Sequence, residues 1–239
     1  MRAFIVGLLG CVLLAGCASA PAHPVPVQLS LLPINGATSY VMLTKVLSLA
    51  RGEWIVQNAA NSSCGRFVIG IAKQLGLRTI NVVRRAELLP RLAAQGGDVN
   101  LVDGDDLAER VRAQIGAAPI RLAFDAVAAD APTRLGRCFG RDGGTILNYG
   151  FLSGEPCRIP GEMLMLHGVT LTGFFTARSV RQAGPAAVAA MHADIDRCLA
   201  EDPPQTAIAA RYALADVRAA VAHAARVGAE REGKIILVA

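Results

Sequence analysis

Apolar residues along this chain fall in short runs separated by small-residue turns and by stretches of helical spacing. Trp54-Ile55-Val56-Gln57-Asn58 is one such run, and Ala59-Ala60-Asn61-Ser62-Ser63-Cys64-Gly65 follows it. The pair reads as a buried strand entering a tight turn. After Gly65, the residues Phe67, Val68, Ile71, Ala72 and Leu75 recur at helical spacing, with Gly76 where a C-cap belongs. The unit then repeats. Thr79 to Val83, Val99 to Val102 and Ile120 to Phe124 predict further strands, with helices marked by Leu88, Leu89 and Leu92 and by Leu107, Val111 and Ile115 between them. Gly144 to Gly150 gives a fifth strand with its loop and Val169 to Gly173 a sixth. Beyond these, Val180 to Leu199 and Ala215 to Val227 predict Ala-rich helices parted by Pro203-Pro204, and Lys234 to Val238 reads as a lone closing strand. No internal repeat is present. Strand and helix in alternation predict an α/β fold with a doubly wound parallel sheet.

Composition agrees and narrows the classes. The 239 residues are 53% hydrophobic and 18% charged, which supplies a core for one ordinary domain and excludes a disordered chain or a coiled coil. The net charge of +5 is scattered, with Arg84-Arg85 the one basic pair singled out, so no basic stripe points to nucleic acid as a partner. Cysteines stand at 11, 17, 64, 138, 157 and 198 and histidines at 23, 167, 192 and 223, with no Cys-x-x-Cys and no histidine pair at ligand spacing. No metal site is expected.

The N-terminus reads differently. Met1-Arg2 precedes an apolar stretch from Ala3 to Leu14, too short to span a bilayer but shaped like a secretory signal. Its ending, Leu14-Ala15-Gly16-Cys17, resembles a bacterial lipobox, which implies lipidation of Cys17 and anchoring on a membrane surface. The alternative is a mistaken start codon or a gene truncated from the front. Residues 1–28 are therefore read as signal and Pro-rich tether and 29–239 as the folded domain, placed at the cell envelope if the signal operates and in the cytoplasm otherwise.

Chemistry is expected at the first turn. Small residues there let backbone N–H groups and a helix N-terminus approach a pyrophosphate. Asn61, Ser62, Ser63, Cys64 and Gly65 supply them, although of the Gly-x-Gly-x-x-Gly pattern only the last glycine is present. A plain strand–helix turn is the alternative. The second strand ends in Arg84-Arg85 where an acidic residue would accept the ribose hydroxyl of NAD; arginine suits the 2′-phosphate of NADP, and a solvated loop is the other reading.

These stretches carry a family resemblance. Leu32 to Tyr40, Val56 to Ser62, Gly76 to Arg84, Tyr149-Gly150, Gly173-Phe174-Phe175 and Gly233 to Leu237 resemble the Rossmann-type cofactor domain of medium-chain dehydrogenase/reductases. Within that superfamily the chain is most similar to NADPH-dependent trans-2-enoyl-CoA (enoyl-thioester) reductases, with zinc-free quinone reductases more distant. The resemblance implies that Asn35 lines the cofactor pocket, Asn61 to Gly65 cradle the pyrophosphate, and Arg84 holds the 2′-phosphate with Arg85 helping. It implies that Tyr149, Gly150, Phe174, Phe175 and Lys234 close around the nicotinamide end. Ser63 departs from the family's usual glycine, Phe175 from a frequent tryptophan, and Ala86 from a frequent basic residue.

In the family a GroES-like barrel precedes this domain, supplies the proton-donating tyrosine and packs on the C-terminal helices and closing strand. The match here begins near Leu29, so no catalytic residue is assigned. Two readings follow: a truncated NADPH-dependent enoyl-thioester reductase, or an inactive, lipid-anchored or remnant nucleotide-binding domain. The family also implies a homodimer through the edge strand around Thr145 to Gly173.

Overall fold

The computed structural model describes residues 30–200, 204, 206–226 and 233–238. Cys17, the lipobox and the tether to residue 28 lie outside the described residues, as do Pro203 and Val227. The contacts divide the chain into two units: residues 35–204, and a smaller unit drawn from 1–34 and 205–239. Residues read above as one domain from 29 to 239 are thus split between them.

The larger unit is built on a six-stranded parallel sheet. Its strands are β1 (Trp54–Gln57), β2 (Arg78–Val83), β3 (Val99–Val102), β4 (Ile120–Asp125), β5 (Gly144–Asn148) and β6 (Val169–Gly173), in the order β3-β2-β1-β4-β5-β6. A parallel sheet covered on both faces needs apolar residues pointing both ways. Accordingly the neighbours Ile55 and Val56, and Leu122, Ala123 and Phe124, are all fully buried. On one face Val56, Ile80, Val82, Ala123 and Ile146 share a core with Leu107, Val111, Leu135, Phe139 and Met163. Winding reverses between β1 and β4, so the crevice of a doubly wound sheet opens at the carboxyl ends of those two strands.

Helices α1 (Ala37–Thr44), α2 (Ser63–Leu75), α3 (Leu89–Ala94), α4 (Leu107–Ile115), α5 (Ala131–Gly136), α6 (Gly161–Met165) and α7 (Thr176–Leu199) complete the unit. Helix α2 follows the sequence closely. Ser62 caps it by accepting from the Gly65 amide at 3.1 Å, Gly76 ends it at φ 72°, and Phe67, Val68, Ile71 and Ala72 form its buried face.

Three helices and a strand escaped the pattern reading. Helix α1 is buried from Ala37 through Leu43, so it has no polar face and shows no 3.6-residue period. Its Tyr40 hydroxyl donates to Asp194 of α7 at 2.6 Å, and burial together with that carboxylate pushes the phenol up to about 12. Helices α5 and α6 are too short to display a period. Helix α7 begins earlier than Val180 and is interrupted at Gly184, where φ is 76° and Pro185 follows.

In the smaller unit the closing strand is not alone. Strand β7 (Ile208–Ala213) pairs in parallel with β8 (Lys234–Val238), and helix α8 (Val217–Ala224) lies between them in sequence. The Tyr212 hydroxyl meets His223 Nδ1 at 2.9 Å within this unit.

Candidate functional site

Buried amides fix the turn after β1. Gln57, fully buried at the strand's end, donates from Nε2 to Asn81 Oδ1 at 2.8 Å and to the Gly65 carbonyl at 3.0 Å. Asn81 in turn donates to Thr79 Oγ1 and Asn100 Oδ1. The two side chains thereby join β1 and the first turn of α2 to β2 and β3. The Ala60 amide donates to Val82 O at 3.2 Å, and Ala59 turns at φ 48°. A Cβ on Gly65 would lie 2.6 Å from the Ala60 carbonyl oxygen, so only glycine lets α2 start this close to the strand. This is the third glycine of the dinucleotide pattern in its structural role.

Asn35 joins the turn through Ser39. The Ser39 hydroxyl lies 2.8 Å from Asn35 O and 3.0 Å from Cys64 O, and its oxygen is 3.2 Å from the Cys64 sulfur. The Cys64 thiol thus faces α1. Arg66 donates to Asn61 O at 3.1 Å and braces the turn from the helix side.

Tyr149 closes the turn from β5. Its amide donates to Asp125 O at 2.9 Å, while its hydroxyl is buried against the side chains of Ser62 and Cys64. Burial first, and Cys64 second, push the phenol well above its usual range, so the group stays a neutral donor. Tyr149→Phe is expected to weaken a phosphate-bearing ligand at the turn by several-fold, the loss of one neutral hydrogen bond; an unchanged dissociation constant by titration would count against the hydroxyl reaching the ligand.

Arg84 and Arg85 follow β2. Arg84 is exposed and has no ion pair among the described residues, whereas Arg85 Nε lies 3.2 Å from Glu87 Oε1. The Asp103 amide donates to Val83 O, which brings that acidic residue beside the arginines, but its carboxylate is engaged by Arg134 at 2.6 and 2.8 Å. Asp103 is therefore committed elsewhere and leaves the positive end of β2 in place.

On the other side of the switch point Asn58, Asp125 and Asn148 join the ends of β1, β4 and β5. Asn58 Nδ2 donates to Asp125 Oδ1 at 2.5 Å and Asn148 Nδ2 to Asp125 Oδ2 at 2.7 Å. Gly150 follows with its Cα so close to Ala126 O that a Cβ would stand 3.0 Å away. The Phe174 amide donates to Asn148 O at 2.8 Å, and Phe175 is exposed beyond it.

The residues predicted from sequence thus gather unevenly. Ser39 links Asn35 to Cys64 in the turn from Asn61 to Gly65, Tyr149 stands beside Ser62 and Cys64, Gly150 follows on beside Ala126, and Arg84 and Arg85 sit at the end of the strand adjoining the turn. Phe174 and Phe175 follow β6. Lys234 opens β8 in the smaller unit, where its amide donates to Ala207 O. The residues that the sequence reading missed are Ser39, Gln57, Asn58, Asp125 and Asn148; the one available signal was a carboxylate closing the apolar run Leu122-Ala123-Phe124. A cavity of about 450 Å³ beside Phe139 and Met163 takes in none of the predicted site residues.

Near Asp125, Ala128 and Ala129 turn at φ 65° and 50°, conformations that cost an L-residue about 1–2 kcal/mol each. Ala129→Gly is expected to raise stability by about 0.5–1 kcal/mol after glycine's own entropy is subtracted. A denaturant midpoint that falls would show the strain to be absent.

Comparison with known proteins gives the chain's family and fold relatives. A family model described as "Zinc-binding dehydrogenase" matches residues 64–193. The mitochondrial enoyl-[acyl-carrier-protein] reductase of Dictyostelium discoideum is 36% identical over 152 residues, covering 62% of this chain and 43% of that protein. The chain therefore spans less than half the length of that curated relative. Among solved structures, the mitochondrial 2-enoyl thioester reductase Etr1p/Etr2p heterodimer of Candida tropicalis is similar at a TM-score of 0.73 and 20% identity, covering 83% of this chain and 59% of that one. A complex of Etr1p with NADP and crotonyl-CoA gives a TM-score of 0.68 at 21% identity, covering 77% and 54%. At such identities the structures establish the shared fold.

Proposed function

The chain belongs to the zinc-binding dehydrogenase family, and from that premise we propose that it is the nucleotide half of an NADPH-dependent reductase of 2-enoyl thioesters. The observation that carries the reading is the pairing, on neighbouring strands, of a Ser62-capped helix N-terminus with an arginine free of ion pairs among the described residues. A helix N-terminus favours a pyrophosphate and an arginine a phosphate monoester. NADP carries both groups. The relatives' names point to the same chemistry.

The residues present fit the cofactor. The neutral Tyr149 hydroxyl stands at the turn beside Ser62 and Cys64, and the close approach at Gly65 keeps the turn small. Asn35 would line the cofactor pocket, Asn61 to Cys64 would hold the pyrophosphate, Arg84 with Arg85 the 2′-phosphate, and Tyr149, Gly150, Phe174 and Phe175 the nicotinamide side. Lys234 is assigned to the same end from sequence alone. Bound NADPH would supply a hydride to the β-carbon of the enoyl thioester, a proton reaching the α-carbon. Zinc does not fit: among the described residues no three His, Cys, Asp or Glu side chains are grouped to hold a metal ion, so no step is drawn through one.

Two further assignments belong to this reading. Strand β6 ends the sheet with Thr170 and Thr172 exposed, and pairing of this edge with a second copy would form a homodimer. Lipid on Cys17 would hold the chain at a membrane surface; no helix among the described residues is long and apolar enough to cross one. The intact mass of the protein isolated from its own cells reads that modification directly.

The deciding experiment titrates the full chain with NADPH and NADH and follows NADPH absorbance with crotonyl-CoA. NADPH is expected to bind at least tenfold tighter than NADH. Equal affinities would overturn the cofactor assignment, and binding without turnover would leave a nucleotide-binding module.

A further inference from the structure

We infer that Asp125 is a positioning residue for the β4–β5 half of the crevice, an inference that rests on the cofactor reading above. A doubly wound sheet binds a dinucleotide as two mononucleotide halves, one on each side of the switch point. Asp125 closes β4 on the side away from Arg84. Its carboxylate is fully buried and has no cationic partner among the described residues. It accepts from Asn58 Nδ2 at 2.5 Å, Asn148 Nδ2 at 2.7 Å, the Val127 amide at 3.0 Å and the Ala128 amide at 3.1 Å.

Each donor belongs to a segment at the crevice. Asn58 leads into Ala59 and the capped turn, and its Oδ1 accepts from the Ala126 amide at 2.8 Å. Asn148 precedes Tyr149 and also donates to Gly150 O at 2.8 Å. Ala128 is held in a left-handed conformation that alanine does not adopt unaided. A buried charge normally requires a partner charge or a full set of hydrogen bonds. Here the hydrogen bonds converge from separate strands, so the charge sets where Tyr149 and Gly150 stand. The Arg84 side is fixed independently, through Gln57 and Asn81.

Asp125→Asn keeps the volume but turns an NH2 group toward N–H donors. The test compares the dissociation constants of NADPH and adenosine 2′,5′-bisphosphate in full-length wild type, Asp125→Asn and Asn148→Ala. NADPH is expected to weaken about tenfold in Asp125→Asn and about threefold in Asn148→Ala, the loss of a charge-assisted bond or of one donor to it. The bisphosphate, which reads the Arg84 side and the turn but lacks the nicotinamide half that Tyr149 and Gly150 face, is expected to stay within about twofold. Equal weakening of both ligands, or unchanged NADPH affinity in both variants, would overturn the assignment. Should Asp125→Asn fail to fold, the split in Asn148→Ala decides. A wild type that binds neither ligand overturns the cofactor reading itself, and is distinguishable from both of those results.

Discussion

Replacing Arg84 with alanine is expected to erase the preference for NADPH, weakening it on the order of 10- to 100-fold while NADH changes little. The guanidinium is exposed, follows the last residue of β2 and carries no ion pair among the described residues. Asp103, whose amide donates to Val83 O, is held by Arg134 in a bidentate pair. No competing carboxylate needs to be displaced before a phosphate binds. Arg85 is a weaker holder because Glu87 already shares it, although an exposed pair of that kind contributes little. Arg84→Lys is expected to recover part of the affinity, since lysine offers the charge without the forked geometry. Fluorescence titration at two salt concentrations reads both effects. NADPH affinity untouched by Arg84→Ala would move the phosphate site elsewhere.

Gly65→Ala is expected to cost about 2–4 kcal/mol of stability. The new Cβ would stand 2.6 Å from Ala60 O, 2.7 Å from its Cα and 2.8 Å from its carbonyl carbon. None of these atoms can give way cheaply. Ala60 is fully buried, its amide is bonded to Val82 O, and Ala59 before it already sits at φ 48°. The helix would have to withdraw, taking the Ser62 cap and the Gln57 contact with it. Gly70 in the same helix is the control, because its nearest neighbour to a new Cβ is Leu199 Cδ2 at 3.4 Å. Gly70→Ala is expected to be neutral or to stabilise by up to about 1 kcal/mol through helix propensity. Denaturant melts of the two variants side by side would show whether closeness of backbone, rather than glycine as such, matters.

The six strands of the larger sheet and helix α2 were legible from residues alone, because burial on both faces writes itself as an apolar run and burial on one face as a 3.6-residue period. The positions of the turn from Asn61 to Gly65 and of the arginines after β2 were legible for a related reason: a small residue beside a helix start and a charge at a strand end are features of local order. Helix α1 was not legible, since an element buried all round has no polar face to mark its period. Nor was the pairing of β7 with β8, which involves a strand interrupted by Arg211 that no apolar run marks.

The tertiary structure alone decided what the polar residues do. Asn58 and Asp125 stand 67 residues apart and Asp125 and Asn148 23 apart, and in a linear reading each is one more polar residue at the end of a run. Hydrophobic burial is set by how often apolar residues recur along one segment, so it is encoded locally. A buried carboxylate is tolerable only when donors from other segments converge on it, and that convergence exists only once the strands are laid side by side.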